Sequence, residues 1–484
     1  MKFIVKLFPE IIIKSKPVRK RFTQQLKDNL RKLLKPLDPQ VQVIREWDRI
    51  IVETRVEEVG IVQSMVEVLR NTSGIAHFLE VVEHPLGDLD EIYQHTKAAV
   101  GESLKGKTFV VRCKRSGQHD FGSGDVERYV GGGLFQFCET GGVSLSKPDI
   151  TVRLEIRKDQ LYVIRRRHEG LGGFPMGSVD SVMSLLSGGF DSTVSSYMTM
   201  KRGLRTHYCF FNLGGREHEM GVQEVALYLW QKFGASHRVK FISVPFEDVV
   251  AEILKNVENS QMGVILKRMM LRAASELAAQ LEVPALVTGE SVAQVSSQTL
   301  TNLSVIDSVT DTLVLRPLIT MDKLDIIKIA AQIGTEEFAA NMPEYCGVIS
   351  VKPTTKAKPE KIAAQEALFD FTVLEKAVSS ARLINIDALV DEEFARTEVE
   401  VLPIPLPGAV IIDVRHPDEI ERQPLAVAQA DVAEIPFYEL HRRAASLDRT
   451  KIYQLYCDKG VMSRLHAAHL MEQGFENIKV YRPS

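Results

Sequence analysis

A six-residue string, Ser187-Gly188-Gly189-Phe190-Asp191-Ser192, follows the apolar run VMSLL and precedes a helical pattern. Two adjacent glycines let a backbone approach a ligand closely, and the first turn of a helix offers free N–H groups to an anion. Ser187 and Ser192 add hydroxyl donors. The GxxxxGK[ST] spacing of a Walker loop is absent. A strand feeding a helix is thus required at this point, and residues 171–345 repeat the same rhythm. THYCFFNLG, VKFISVP and ALVTGE read as strands, and EVALYLWQKFG, VILKRMMLRAASELAAQLE and KLDIIKIAAQIG read as helices. The alternation predicts a doubly wound parallel sheet.

At 484 residues the chain is too long for one core and predicts three or four domains. Residues 1–83 read in the order β-α-β-β-α-β, the ferredoxin-like unit, with Phe22, Leu26, Leu30 and Leu33 striping its first helix. Residues 84–170 read as a second α/β unit. A mostly helical stretch runs from the proline- and lysine-containing segment near 352 to about 400. The chain then restarts at VLPIPLPGAVIIDVR, and the last 80 or so residues form a small α/β unit. Hydrophobic residues at 45% and charged residues at 25% exclude a disordered chain or a disulfide scaffold. No run reaches the roughly 20 apolar residues of a membrane span. Lys2, Lys6, Glu10 and Lys14 break the first residues, so no secretory core is present and the cytoplasm is expected. The five cysteines form no CxxC pair, which argues against a zinc site.

The net charge of −3 divides into +5 over residues 1–180 and −8 over the remainder. Basic clusters stand at Lys105, Lys107, Arg112, Lys114 and Arg115, and again at Arg165, Arg166 and Arg167, just after a predicted strand. They suit a phosphate-gripping edge for a polyanion. Charges that protect an exposed sheet edge would look the same.

A second constellation is Tyr456-Cys457-Asp458-Lys459-Gly460-Val461-Met462-Ser463, again between an apolar strand and a helix. Backbone donors at a helix N-terminus stabilise a thiolate or a persulfide anion, Lys459 adds a cation, and Gly460 lets the loop curl around the sulfur. Cys209, inside the apolar THYCFF, reads as core, and Cys113 and Cys138 lack a reactive setting.

These strings carry resemblances. SGGFDS resembles the pyrophosphate-binding PP-loop of N-type ATP pyrophosphatases. The CxxGxxS loop, with Asp413-Val414-Arg415 upstream, resembles a rhodanese domain, although the usual His-Ile-Pro-Gly stretch is replaced by ADVAEIPFYEL. Together with VILKRMMLRAA, TGESVAQVSSQTL, RPLITMDKLDII and EYCGVIS, they make the whole chain similar to the rhodanese-tailed tRNA 4-thiouridine synthetase family. Ala293 departs from it, standing where glycine is more usual.

The resemblance implies an α/β and α+β multidomain fold. It comprises a ferredoxin-like domain (1–62), a THUMP RNA-binding domain (63–167), a PP-loop ATP pyrophosphatase domain (175–345), a helical linker region (346–401) and a rhodanese domain (402–484). It implies that Leu185 and Leu186 line the nucleotide with their backbone. Ser187, Gly188, Gly189, Asp191 and Ser192 would hold pyrophosphate, with Asp191 placing magnesium. Lys267 would neutralise charge on ATP, Gly289 and Gln298 would contact the nucleotide, and Lys323 would support adenylation.

The implied reaction activates O4 of tRNA uridine 8 with ATP and Mg2+ and replaces it with sulfur carried on Cys457. A cysteine desulfurase would load that thiol. Cys346 would be the second active cysteine. Either the Cys457 persulfide attacks C4 directly, or Cys346 liberates sulfide from it; both routes end in a Cys346–Cys457 disulfide that a cellular reductant reopens. The family also implies sulfur transfer to a carrier protein for the thiazole of thiamine. It implies no membrane partner and is compatible with a homodimer. Two other readings compete. An amide-forming PP-loop synthetase would need a glutaminase segment, and none is recognisable. A non-catalytic tRNA-binding protein or sulfur carrier would tolerate loss of Asp191.

Overall fold

The computed structural model describes residues 1–484 except 214, 343–351, 390, 392–398, 428–429, 459 and 484. The chain divides into two compact units, 1–178 with 201–203, and 179–200 with 204–484.

The first unit is built on one eight-stranded sheet. Its elements begin β1 (Lys2–Leu7), α1 (Pro9–Ile12), α2 (Lys16–Leu34), β2 (Gln42–Arg45), β3 (Arg49–Glu53), α3 (Val59–Arg70) and β4 (Ile75–Pro85). They continue with α4 (Leu89–Val100), β5 (Thr108–Ser116), α5 (Ser123–Phe137), β6 (Gly142–Val143), β7 (Ile150–Arg157) and β8 (Gln160–Gly172). The strand order is β2-β3-β1-β4-β8-β7-β5-β6. The first half has the expected ferredoxin-like order, and it is complete only with β4, whereas residue 62 falls inside α3. On α2 the buried stripe is Phe22, Leu26, Leu30 and Leu34, an i, i+4 line; Leu33 lies half-buried beside it. The long antiparallel pairing of β4 with β8 joins the two halves edge to edge.

The second unit contains the doubly wound sheet. In chain order it comprises β9 (Ser181–Leu185), α6 (Phe190–Lys201), β10 (Arg205–Asn212), α7 (Gly215–Leu229), β11 (Lys240–Pro245), α8 (Glu247–Asn256), α9 (Met262–Gln280) and β12 (Ala285–Val287). Then follow α10 (Leu300–Asp307), β13 (Leu313–Leu315), α11 (Lys323–Ile333), α12 (Glu336–Asn341), α13 (Pro359–Glu366), α14 (Phe371–Ser379) and β14 (Arg382–Asn385). The order β13-β12-β9-β10-β11-β14 is parallel except for β14, which runs antiparallel along β11. Residues 346–401, read above as a helical linker, therefore also supply an edge strand. Ile362, Leu374 and Val378 of α13 and α14 lie in the same core as α9 and β11. Arg268 clamps α13 through a bidentate pair with the buried Glu366, at 2.7 and 2.8 Å.

The chain ends in a five-stranded parallel sheet ordered β15-β19-β18-β16-β17. Its strands are β15 (Val401–Leu402), β16 (Val410–Asp413), β17 (Asp431–Glu434), β18 (Tyr453–Tyr456) and β19 (Ile478–Tyr481). Its helices are α15 (Pro417–Arg422), α16 (Phe437–Ala444) and α17 (Val461–Glu472). This sheet and its helices pack on the doubly wound part through Phe437 against Phe338, with ring centroids 4.5 Å apart, and through His466 and His469 beside Glu224.

Candidate functional site

In the doubly wound sheet the strand order reverses at β9, which pairs with β10 on one side and β12 on the other. Ligands of such folds bind outside the carboxyl ends of the strands at this switch point. The loops after β9 and β12 therefore emerge side by side, and they are the two segments that carry SGGFDS and TGES. Their contact is close enough to dictate a residue: a Cβ on Gly289 would lie 2.5–2.7 Å from the backbone of Asp191 and Ser192. Gly289 thus lets the second loop lie flat on the first, a role additional to the nucleotide contact expected for it.

Within the first loop, Ser192 is buried and ties the turn together. Its hydroxyl accepts from the Ser187 backbone N–H at 3.1 Å, lies 3.1 Å from the Ser187 hydroxyl and donates to the Gly189 carbonyl at 3.2 Å. Gly188 has φ +83°, a conformation costly for any side chain. The Leu186 N–H is committed to the Cys209 carbonyl of β10, so only the carbonyl side of that peptide can serve a nucleotide. Asp191 points outward. Lys323, the first residue of α11, donates to Asp191 Oδ1 at 2.8 Å, and Gln294 donates to Oδ2 at 2.8 Å. Two residues expected in the adenylation site, each with its own role, thus meet across 132 positions of sequence. Gln298 is buried and accepts from the Ser291 N–H, which shapes the second loop. Lys267 on α9 donates to Glu290 at 2.8 Å. Glu290 and its second partner Arg316 were not singled out by sequence.

Magnesium takes one or two carboxylates together with substrate phosphates and waters. A lone outward carboxylate such as Asp191 fits that habit, while no group of three metal-binding side chains occurs among the described residues.

Cys457 directly follows β18, and Gly460 (φ +67°) caps α17. The sulfur is buried, 3.4 Å from both the hydroxyl and the backbone nitrogen of Ser463. Burial pushes the Cys457 thiol above its ordinary pKa, opposed by donors of Ser463, Met462 and Gly460. The donors expected to stabilise a thiolate or a persulfide anion are in place, and for the thiol itself burial outweighs them. Asp413 and Arg415 prove to be the clamp of the loop. Buried Arg415 is held by Asp413 at 2.6–3.1 Å and reaches Asp458, the residue after the cysteine, at 3.0 Å. Cys346 and Lys459 lie outside the described residues. Burial pushes Cys113 up to about 11 and Cys209 up to about 12, consistent with core positions.

The basic residues of the first unit do not form one patch. Lys105 and Lys107 precede β5, whereas Lys114 and Arg115 sit near its other end, about 23 Å away at strand rise. Lys105 pairs with Glu139 and Arg112 with Glu127. Arg165, Arg166 and Arg167 lie within β8, not after it. Opposite them the register slips between Glu80 and Val81, so Arg165 is an extra, bulged residue, and all three side chains reach solvent. Arg165 lines a groove shared with Lys2, Glu53, Glu80 and Glu83. Lys114 and Arg115 line another, with Lys6, His77, Arg157 and Trp47. Trp47 is 69% exposed, with the Arg19 guanidinium 5.4 Å from its ring centre. Sequence reasoning passed over it, although a lone tryptophan in a basic unit was the available signal.

Three family models match the chain: the thiamine biosynthesis protein (ThiI) over residues 177–371, the THUMP domain over 87–164, and the ThiI ferredoxin-like domain over 2–78. Proteins described as tRNA sulfurtransferase from Azotobacter vinelandii and Pseudomonas putida are 57% and 56% identical, each over 100% of both chains. Among solved structures, a 4-thiouridine synthetase–RNA complex with bound ATP is 27% identical with a TM-score of 0.70, covering 79% of this chain and 99% of that one. A protein of Pyrococcus horikoshii, 18% identical with a TM-score of 0.53, shares the fold over 69% of this chain and 100% of its own.

Two outcomes follow from the geometry. Ala293 stands at φ +63°, where a non-glycine residue loses about 1–2 kcal/mol. Glycine returns about 0.4–1 kcal/mol of that through its freer unfolded chain, so Ala293→Gly is expected to gain about 0.5–1 kcal/mol in denaturant unfolding. A loss of stability would contradict the strain. Second, because the Cys457 pKa is raised, its alkylation by iodoacetamide, followed by peptide mapping, should be slow at neutral pH and still be rising above about pH 9. A plateau reached below about pH 8 would show that the donors win over burial.

Proposed function

The chain belongs to the tRNA sulfurtransferase family, and from that premise we propose that it converts uridine 8 of tRNA to 4-thiouridine through an adenylated O4 intermediate. The observation that carries the proposal is identity above half over the full length of relatives so described, seated on a loop geometry suited to splitting ATP. The RNA complex with bound ATP of the related synthetase supports tRNA and ATP as the substrates.

The uridine C4 carbonyl is a poor electrophile because its oxygen leaves badly. Attack of O4 on the α-phosphorus of ATP expels pyrophosphate and turns that oxygen into part of an AMP leaving group. The Ser187–Ser192 turn holds the departing phosphates with backbone and hydroxyl donors, and Leu185, Leu186, Gly289 and Gln298 frame the nucleotide. Lys323 and Lys267 meet the negative charge that spreads over the phosphates as the bond breaks, the main device of phosphoryl chemistry. Lys323 reaches this place through Asp191, whose carboxylate orients its ammonium. Magnesium held by Asp191 and the phosphates would supply further charge neutralisation.

Sulfur arrives on Cys457 as a persulfide formed by a cysteine desulfurase, and the parallel sheet around it serves as a rhodanese-like carrier. In the direct route the terminal sulfur attacks C4 and AMP leaves. Cys346 thiolate then attacks the Cys457 sulfur, which frees the thiolated base and forms the Cys346–Cys457 disulfide. In the other route Cys346 attacks the persulfide first and liberates sulfide, which displaces AMP. Either way two electrons from a reductant restore both thiols. Transfer of the same sulfur to a carrier protein for thiazole formation is a second outlet, supported by the description of the matching thiamine biosynthesis family.

Purified protein with ATP, magnesium, cysteine, a desulfurase and unmodified tRNA should generate the near-ultraviolet absorbance of a thiolated base. Asp191→Ala should abolish pyrophosphate release, and Cys457→Ala should leave pyrophosphate release intact but abolish thiolation. Pyrophosphate release that survives Asp191→Ala would overturn the adenylation step. Binding of tRNA should weaken steeply with salt, and replacing Arg165–Arg167 by glutamine should flatten the log–log slope by about 0.9 for each phosphate no longer neutralised. An unchanged slope would remove these arginines from the RNA surface.

A further inference from the structure

Glu290 is buried at the switch point of the sheet, and no step above uses it. Both of its oxygens are engaged. Oε1 accepts from Lys267 Nζ at 2.8 Å, and Oε2 accepts from Arg316 Nε at 2.8 Å and the Thr288 hydroxyl at 3.0 Å. Arg316 is anchored in turn by both oxygens of Asp307, at 2.8 and 2.5 Å. We propose that Glu290 is a positioning residue for the adenylation step, holding the Lys267 ammonium beside the nucleotide loop, with Arg316 and Asp307 locking Glu290 in place. The inference rests on the reading of Lys267 as the group that meets charge developing on ATP.

Lysine is a point charge on a flexible four-carbon stem, so its placement needs an anchor. Here the anchor is one residue beyond Gly289, which lies directly on the backbone of Asp191 and Ser192. The segment from Thr288 to Glu290 therefore serves at once as the floor under the loop and as the tether of Lys267. Arg316 spends three of its five N–H donors, one from each nitrogen, on Glu290 and Asp307, which pins it in place and leaves Lys267 the less committed cation. The Lys267–Glu290 bond takes one of three ammonium protons, which leaves donors for a phosphate. The two cations and two carboxylates balance, so Glu290 keeps its charge. Burial alone would raise its pKa, but Lys267 and Arg316 outweigh that and hold it below the usual carboxylate value.

A purely structural network tying α9 to the ends of β12 and β13 would show the same bonds. A double-mutant cycle separates the two cases. Lys267→Met, Glu290→Gln and the double variant are compared in ATP-dependent pyrophosphate release on tRNA, with thermal midpoints measured alongside. Glu290→Gln is expected to lower kcat by about 10²-fold, the scale of a catalytic group displaced by about 1 Å, with a smaller effect on KM for ATP. The double variant should be within about twofold of Lys267→Met alone, because residues acting through one another are not additive. If the two losses multiply while Lys267→Met remains impaired, Glu290 does not act through Lys267 and the inference fails by itself. If Lys267→Met is fully active, the reading of Lys267 fails and the inference falls with it. Should Glu290→Gln not fold, Arg316→Gln replaces it in the cycle, with Arg316→Lys expected to restore part of the rate.

Discussion

The parallel pairing of β12 with β9 is the constraint on which the proposed nucleotide site depends. Met183 and Ser184 stand opposite Leu286 and Val287, so the peptides that leave both strands must share one small volume. Only a glycine at 289 permits that approach. Once the loops touch, three cations converge from distant parts of the chain: Lys323 through Asp191, Lys267 through Glu290, and Arg316 through Glu290 as well. None of these charges is left to find its own position. Each is fixed by a carboxylate on one of the two loops, an arrangement that suits the preorganisation the proposed adenylation needs.

The Cys457 loop meets an opposite demand. A thiol proposed to carry sulfur without losing it to solvent is best kept dry, and dryness works against the anion. Ser463 and the first N–H groups of α17 oppose burial at Cys457 without overcoming it. Those donors gain their value when Sγ becomes charged, as in a thiolate released by attack on a persulfide's outer sulfur. The fold places a buried charge close by, Arg415, and neutralises it with Asp413 and Asp458 instead of the cysteine. The DVR motif therefore fixes the loop's shape, while the loop's own amides face the sulfur.

Much of this was legible in sequence wherever local pattern and local chemistry coincide. The strand, turn and helix around SGGFDS, the ferredoxin-like order and the Cys457 loop are all short-range signals. Helix α5 was not read, because Gly131, Gly132 and Gly133 dilute its helical propensity; burial of Val126, Val130 and Leu134 along one face stabilises it instead. Strand β14 is four residues behind two helices, too short for alternation to declare itself. The bulge at Arg165 depends on a partner strand some 85 positions away in sequence, and neither propensity nor spacing reveals a register slip. Glu290 escaped notice for a related reason: its importance comes from Arg316, 26 residues on, and Lys267, 23 residues back. Cys457 shows the limit most plainly, since its neighbours in sequence are polar while its neighbours in space exclude water.

Helix α7 links these two loops physically. Near its start, His218 lies beside the backbone of Ser187 in the SGGFDS loop, and burial holds that imidazole below its ordinary pKa. Its Arg216 faces Glu472 at the end of α17, and its Glu224 faces His466 and His469 further back on the same helix. Matching 216 with 472 and 224 with 466–469 means that α7 and α17 run antiparallel. The N-terminal turn of α17, which surrounds the Cys457 sulfur, is then carried by a helix whose later turns rest on the element that lies beside the SGGFDS loop. The aromatic cluster of Tyr228, Phe338 and Phe437 fills the far end of the same contact. Apolar burial supplies adhesion there, and the buried His–Glu contacts fix which faces meet. Displacing the five-stranded sheet would therefore expose aromatic surface and strip Glu224 of its imidazole neighbours, so this packing is one defined position of that sheet and not a loose tether.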